Sequence, residues 1–594
     1  MDRAEEKSQH AGADHSSAPV PFSASPPLLP QDPKEAERVF NSLPVKNQID
    51  FLLQARGKDR LHYLFLSRNP EQLVQQLPDL EVFLTVKEVG DKDALPLLSL
   101  TTPEQFQFLL DLDFWKRDEL NPEKILHWLE ILLECGEEKI AQFIHSTDPE
   151  FIVLLLKKFL QVTTLEGEPV EVEEKVPPFT LDYYYFVHFK GKGTREVLEP
   201  FLKIFAFIDT EGYRRSMEAL VWELESELQE TGYRLRNARL AEYGFPEFEE
   251  ALDIYRFIPP DSLSSKEQTP SAGRPIESEK SQATYYLRFF HESSFFSSVL
   301  AKIDDPLEQD RLKAGMADLC NRAMVAEPAD LSRFEEIERI SKKVFRYLNM
   351  GLQYLSREEE IRALDILRSL SLQKLFQCGV SLTLLLKKKA ETLLKGPWFE
   401  ADRENLLFLD SPYLERFEGI LKKRPGLLWK GRIEDFKNLR ELKETENLLE
   451  LVEAIVNFLE KQLGISPPYL KNLDLRGCHP EHWREMRLST LFLTAMANQV
   501  LKGSFRFEAI EKAQLNNLFS HIFERDEQGK GVIKMEIKKG LKDWFDSIEG
   551  DKNKQSHLLA FRDFCLDLLE EDFGNIPPGE EIDPRFVKGF LICK

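Results

Sequence analysis

Cysteine is scarce in this chain: six residues in 594, at positions 135, 320, 378, 478, 565 and 593. So few exclude a disulfide-built scaffold, and their scatter predicts unpaired thiols in a reducing compartment. Long apolar runs are missing too. The densest, residues 151–156, stops at Lys157-Lys158, well short of the roughly 18 to 20 apolar residues a membrane helix requires. The opening, Met1-Asp2-Arg3-Ala4-Glu5-Glu6-Lys7, leads into Ser, Ala and Pro and not into the apolar core of a secretory signal. Positive charge is outnumbered, with 79 Lys and Arg against 102 Asp and Glu and a formal net charge of −23. That deficit argues against a nucleic-acid partner held by bulk charge. Together these absences predict a cytoplasmic protein that is not integral to a membrane.

Catalytic signatures are absent as well. No Walker or Rossmann glycine pattern, G-x-S-x-G elbow or H-E-x-x-H helix occurs, so none of the chemistries they carry is assigned. Gly191-Lys192-Gly193-Thr194 has the residues of a phosphate loop without its spacing and reads as a turn. The best metal-like group is Cys478-His479-Pro480-Glu481-His482. A structural zinc site wants four ligands, and no second Cys/His pair lies nearby. His479-Pro480-Glu481 has instead the form of a helix start, whose positive end disfavours a cation. Residues 526–537 (DEQGKGVIKMEI) mimic a calcium loop, with Asp526, Gly531 and Ile533 in register. Gln528, Lys530 and Ile537 occupy ligand positions, however, so a helix–turn–helix connection is predicted there. The runs Lys387-Lys388-Lys389 and Lys422-Lys423-Arg424 lack interleaved aromatics and read as solvated helix faces. No catalytic residue, metal or cofactor is assigned.

What the chain does have is 42% hydrophobic and 30% charged residues, enough apolar matter for a core. At roughly 150 residues per domain the length suggests about four units, fewer for a repeat array. The clearest pattern lies between residues 40 and 163. Four segments place a capping residue before Pro-Glu: Asn69-Pro70-Glu71, Thr102-Pro103-Glu104, Asn121-Pro122-Glu123 and Asp148-Pro149-Glu150. In each, the first side chain is suited to accept an orphan N–H, proline has no N–H to leave unpaired, and glutamate faces the positive helix end. Apolar residues follow three and seven positions after each proline, giving Leu73/Leu77, Phe106/Leu110, Ile125/Leu129 and Ile152/Leu156. The i, i+4 spacing puts an apolar stripe on every helix. Proline spacings of 33, 19 and 27 residues are too irregular for a named repeat consensus. The fold class predicted is all-α: an irregular α-solenoid followed by a second helical lobe, with at most a few short strands.

The divisions expected along the chain are an N-terminal segment 1–35 without a core, the array 36–163, a helical domain 164–258, a linker or long loop 259–281, a C-terminal helical lobe 282–572 and an extended tail 573–594. Residues 165–178 alternate Val with Glu and suggest a short exposed strand. Tyr183-Tyr184-Tyr185-Phe186 reads as a buried strand or helix start. One long helix is expected over residues 214–243, with Leu220, Leu224 and Leu228 on one face. Leu319 to Met324 and Met496 to Leu501 each place a small residue and an asparagine inside an apolar helix, a pattern that either a duplicated unit or chance produces.

Asp113-Phe114-Trp115 with Trp128-Leu129, the stretch from Arg239-Leu240 through Gly244-Phe245-Pro246-Glu247 to Tyr255, and Leu319 to Val325 together resemble a bacterial family of unknown function found mainly in sulfate- and metal-reducing bacteria. The resemblance implies no activity, cofactor or catalytic residue. The N-terminal array is also loosely similar to the cytosolic helical domain of bacterial magnesium transporters and to flagellar switch proteins, a likeness of fold only.

Two functional readings follow. Stacked capped helices create extended binding faces, so the first is a scaffold or adaptor with a protein partner, contacted through Trp115, Trp128 and the acidic loop carrying Asp111, Asp113 and Asp118. For both tryptophans core burial is the leading assignment and contact the alternative. The second reading is an enzyme or small-molecule sensor with a pocket between the lobes, where Glu223, Arg236, Arg239 and Glu250 converge. Regulation of a membrane transporter is a third, resting on the fold likeness alone.

Overall fold

The computed structural model describes residues 29–30, 32–165, 177–263, 294–527, 529–546, 552–576, 583, 587 and 589–593. Most of the expected N-terminal segment, of the 165–178 strand and of the 259–281 linker lies outside them, as does part of the tail. The fold is predominantly α-helical, with strands of two to five residues in sheets of two or three strands. No single helix among the described residues is long and apolar enough to cross a membrane.

Three of the four capping segments act through their side chains. Thr102 forms a capping box with Gln105 at the start of helix Pro103–Asp113. Asn121 accepts from the N–H groups of Glu123 and Lys124 ahead of Pro122–Cys135, and Asp148 from Glu150 ahead of Pro149–Lys157. Asn69 precedes helix Pro70–Gln76 without a side-chain cap. All eight apolar residues of the i, i+4 pairs are buried. Burying such a side chain contributes roughly 1.5–3 kcal/mol, so these stripes hold the short helices side by side.

Two expectations between residues 180 and 258 are corrected. The long helix is two, Thr210–Trp222 and Glu225–Glu242, separated where Glu223 turns extended. The cause is tertiary: the ammonium of Lys157 donates to the carbonyls of Leu220 and Glu223 at the break, satisfying groups that a continuous helix would use internally. Leu224 therefore leaves the stripe of Leu220 and Leu228 and is 59% exposed. In the aromatic run only Tyr185 and Phe186 enter a strand, Tyr185–Phe189, antiparallel to Leu160–Thr164. Tyr183 and Tyr184 are exposed. Helix Glu225–Glu242 lies close on Pro149–Lys157 because it carries Gly232, where a Cβ would stand 2.9 Å from Leu154 Cδ2.

The chain forms two compact units, residues 1–256 with 264–377 and residues 257–263 with 378–594. The described part of 282–377, grouped from sequence with the C-terminal lobe, thus clusters with the first unit. At the centre of the second unit is helix Leu488–Lys502, whose residues 488–498 are all buried. Phe492 stacks on Phe545 at 5.9 Å and meets Phe561 at 5.7 Å. Beside it is a three-stranded sheet with Ile592–Cys593 in the middle, antiparallel to Cys478–His479 and parallel to Ile510–Glu511. The tail is held there by more than strand pairing: the Leu591 N–H donates to Thr494 Oγ1 at 2.9 Å, and Phe590 is buried.

That sheet overturns the expectation of six free thiols. Cys478 and Cys593 face each other across the strands and form a disulfide over a sequence separation of 115. Cys135, Cys320, Cys378 and Cys565 are free. Pairing of such distant residues cannot be deduced from spacing, and the inference from cysteine to compartment loses its premise. Because the link closes a long loop, Cys593→Ser is expected to lower the stability of the second unit by roughly 2–5 kcal/mol. Hydrogen exchange read segment by segment under denaturant checks this. Exchange should accelerate in residues 439–573 and not in residues 33–254, with dithiothreitol mimicking the substitution in the wild type.

Candidate functional site

The tryptophans and aspartates named as candidate contacts lie, but for one, inside the first unit, the tryptophans in the core assignment that led for them. Trp128 is 1% exposed, and its indole N–H donates to Asp113 Oδ2 at 2.5 Å. Lys87 Nζ is 2.9 Å from both Asp113 Oδ2 and Asp91 Oδ1 and stands 5.0 Å above the Trp128 ring. His127 reaches the other Asp91 oxygen at 3.0 Å. Removing one member would strand a buried charge, a loss of roughly 3–5 kcal/mol, so the cluster is structural. Trp115 is buried against Phe151 and Tyr233. Of the five residues only Asp118 is exposed.

Asp111 accounts for two of the residues assigned to the alternative pocket. Arg239 grips its carboxylate through Nε (2.7 Å) and Nη2 (2.8 Å), and Arg236 Nε donates to its carbonyl at 2.7 Å. The other two lie elsewhere: Glu223 marks the helix break, and Glu250 pairs with Arg322 at 3.1 Å. All four belong to the first unit, and they do not converge. The two asparagine helices do share a device. Asn321 Nδ2 donates to the Tyr243 carbonyl and Asn498 Nδ2 to that of Glu508, each amide tethering a neighbouring segment.

The weaker motifs resolve as local structure. Gly191 and Gly193 take positive φ in the turn before helix Thr194–Ile208. Asp526 accepts the Lys530 N–H at 2.8 Å in a turn between strands Phe523–Arg525 and Gly531–Ile533, so a short hairpin joins the flanking helices. Lys389 bridges Glu446 and Glu450. The expected helix start at His479-Pro480-Glu481 is corrected: Cys478–His479 is a strand and His479-Pro480 a cis peptide. Capping falls to His482, whose Nδ1 accepts the Arg484 N–H at the 3-10 turn Trp483–Glu485. Among the described residues no group of three or more His, Cys, Asp or Glu side chains could hold a metal ion.

What sequence reasoning missed is a cavity of about 530 Å³ in the second unit. Its lining comes from four places: Asp410; the stretch His479 to Leu493; residues 568–573 of helix Lys552–Phe573; and Val587 and Gly589 of the tail. Its apolar lining is Leu493, Leu568, Leu569, Phe573 and Val587. The polar lining is organised by Asp410, which is 6% exposed. Its oxygens accept the Ser489 backbone N–H at 3.0 Å and the Ser489 hydroxyl at 2.5 Å, so it caps the helix Leu488–Lys502 from a distant loop. Burial pushes its carboxyl from 3.8 up to about 6, against the pull of the Ser489 bonds and the Arg487 guanidinium.

Two other groups facing the cavity are not used by the fold in this way. Arg487 is half-buried and its Nη1 donates to the carbonyls of Arg484 (2.7 Å) and Met486 (3.2 Å). Its Nε and Nη2 make no hydrogen bond or ion pair with a described residue. The half-buried imidazole of His479 likewise has no such partner. Arg484, by contrast, is engaged by Glu404 at 3.0 Å, and Glu485 and Asp572 sit exposed at the rim. A second hollow, on the first unit, is lined by Lys58, His62 and Asp93 among apolar side chains, with Lys58 3.8 Å from Asp93 and no arginine.

A family model described as a family of unknown function, DUF6178, matches residues 37–593. The chain belongs to DUF6178. The match spans every residue lining the cavity. Neither a curated protein nor a solved structure matches this DUF6178 chain.

The raised Asp410 carboxyl has a testable consequence. Below about pH 4 it is protonated in both folded and unfolded chains. Between about pH 4 and 6 the unfolded chain loses the proton while the folded chain keeps it, so this group's contribution to stability falls as pH rises. The expected total is roughly 3 kcal/mol at most, for a shift of about two units. Denaturant unfolding of wild type and Asp410→Asn at pH 4, 5, 6 and 7 should show the difference between them changing over that window and level above it.

Proposed function

We propose that this protein binds a small molecule in the cavity of its second unit. The observation that supports the reading best is that Arg487 and His479, both half-buried, line this cavity with the Arg487 Nε/Nη2 edge and the His479 imidazole lacking a hydrogen-bond partner among the described residues. Buried donors left unmatched cost stability, and pockets with a few convergent polar groups against an apolar wall are the usual form of small-molecule sites. The tail contributes Val587 and Gly589 to the lining, and its end is tied down by the Cys593 disulfide and strand pairing. This is the sensor-like alternative relocated from the junction between lobes to one unit.

The test is extraction and mass spectrometry of the full-length protein purified natively, alongside Leu568→Trp, which fills the cavity from a half-buried position. A small molecule near stoichiometry in the wild type and absent from the variant is expected. Identical extracts from two equally folded proteins would sink the reading.

The adaptor reading is favoured by a different observation. Trp222 is 77% and Leu224 59% exposed at the helix break, and Phe207 is 85% exposed on the same unit; large exposed apolar side chains are suited to act as contact anchors. These take the place of Trp115 and Trp128. Trp222→Ala with Leu224→Ala should release a co-purifying partner while preserving helix content. Retention of that partner would remove these residues from the reading.

A further inference from the structure

Arg487 offers more than charge. With Nη1 held by two carbonyls, its guanidinium plane is fixed, and the edge left over is the Nε/Nη2 pair. That edge has the geometry of a carboxylate fork. The same chain shows its use elsewhere, where Arg239 takes Asp111 through Nε and Nη2 at 2.7 and 2.8 Å. His479 from the neighbouring strand supplies a further donor. Leu493, Leu568, Leu569 and Phe573 supply apolar lining to the same cavity.

The other charges limit the ligand. Arg484 is taken by Glu404, so one guanidinium edge, that of Arg487, remains without a hydrogen-bond partner among the described residues, which suits a monoanion. Asp410, Glu485 and Asp572 line the same cavity and would repel a dianion such as phosphate. A cationic head is poorly served, because Asp410 is only 6% exposed and the two rim acids are exposed to water, where a surface ion pair contributes little.

We propose that the ligand is a small amphipathic monocarboxylate, its carboxylate on Arg487 and His479 and its hydrocarbon body on the apolar lining. This rests on the small-molecule reading of the same cavity and adds the chemical class.

The experiment is calorimetric titration of the full chain with octanoate, octanamide, octylammonium and inorganic phosphate. Octanoate should bind at least about tenfold more tightly than any of the other three, since a charge-assisted fork is lost in each. Arg487→Gln should erase that preference, leaving octanoate and octanamide alike. Because the Arg487 side chain also holds two carbonyls, that variant is open to misfolding. His479→Gln removes a group with no described protein partner and should weaken octanoate several-fold with unfolding unchanged. Octanamide, octylammonium or phosphate binding as well as octanoate overturns the carboxylate class, as does octanoate affinity unaffected by His479→Gln and Arg487→Gln. If a native molecule is retained by the wild type and lost from Leu568→Trp while octanoate shows no preference, the cavity reading survives and the class falls. If octanoate binds wild type and Leu568→Trp equally, the cavity itself is excluded as the site of binding.

Discussion

The carboxylate of Asp410 joins two stretches of chain 79 residues apart, and the second unit's cavity depends on that joint. By accepting the N–H and hydroxyl of Ser489 it fixes the first turn of Leu488–Lys502, which sets Arg487 immediately before the helix and Leu493 along one wall. The same helix presents Thr494 to the tail, whose Leu591 N–H donates to it. Strand pairing and the Cys478–Cys593 bond then secure that tail beside His479. Loop, helix and terminus meet at one place because a buried acid was put where the helix needs a negative group.

The two units treat buried charge differently. In the first, Lys87, Asp91, Asp113, Trp128 and His127 satisfy one another, and Asp111 is divided between Arg236 and Arg239. Such networks specify how short helices seat against each other and leave nothing over for a ligand. In the second, Asp410 is satisfied, whereas the Nε/Nη2 edge of Arg487 and the His479 ring have no hydrogen-bond partner among the described residues. Residual hydrogen-bonding capacity lining a pocket is what separates a site from a core.

Much of the array was legible because it is local. Thr102, Asn121 and Asp148 cap the helices they precede, and the i, i+4 pairs are core, as periodicity implied. What failed depended on partners far off in sequence. The helix break at Glu223 is set by Lys157, the disulfide by two strands 115 residues apart, and the fate of Trp128 by Lys87 and Asp113. The cavity is non-local in the same way, yet it left one readable trace. Arg484 and Arg487 stand just before an apolar helix, where its positive end disfavours cations. A local rule broken at such a position is a pointer to a constraint of another kind. Asp410 left none, since its neighbours Ser411 and Pro412 look like the cap of the helix that follows.

A crystal structure of the full-length protein purified without added ligands tests the central claim most directly. The account predicts continuous density for a bound molecule in the cavity, with an acidic end within hydrogen-bond distance of Arg487 Nε and Nη2. A cavity holding only ordered water, or an Arg487 edge paired with a protein carboxylate, would contradict it.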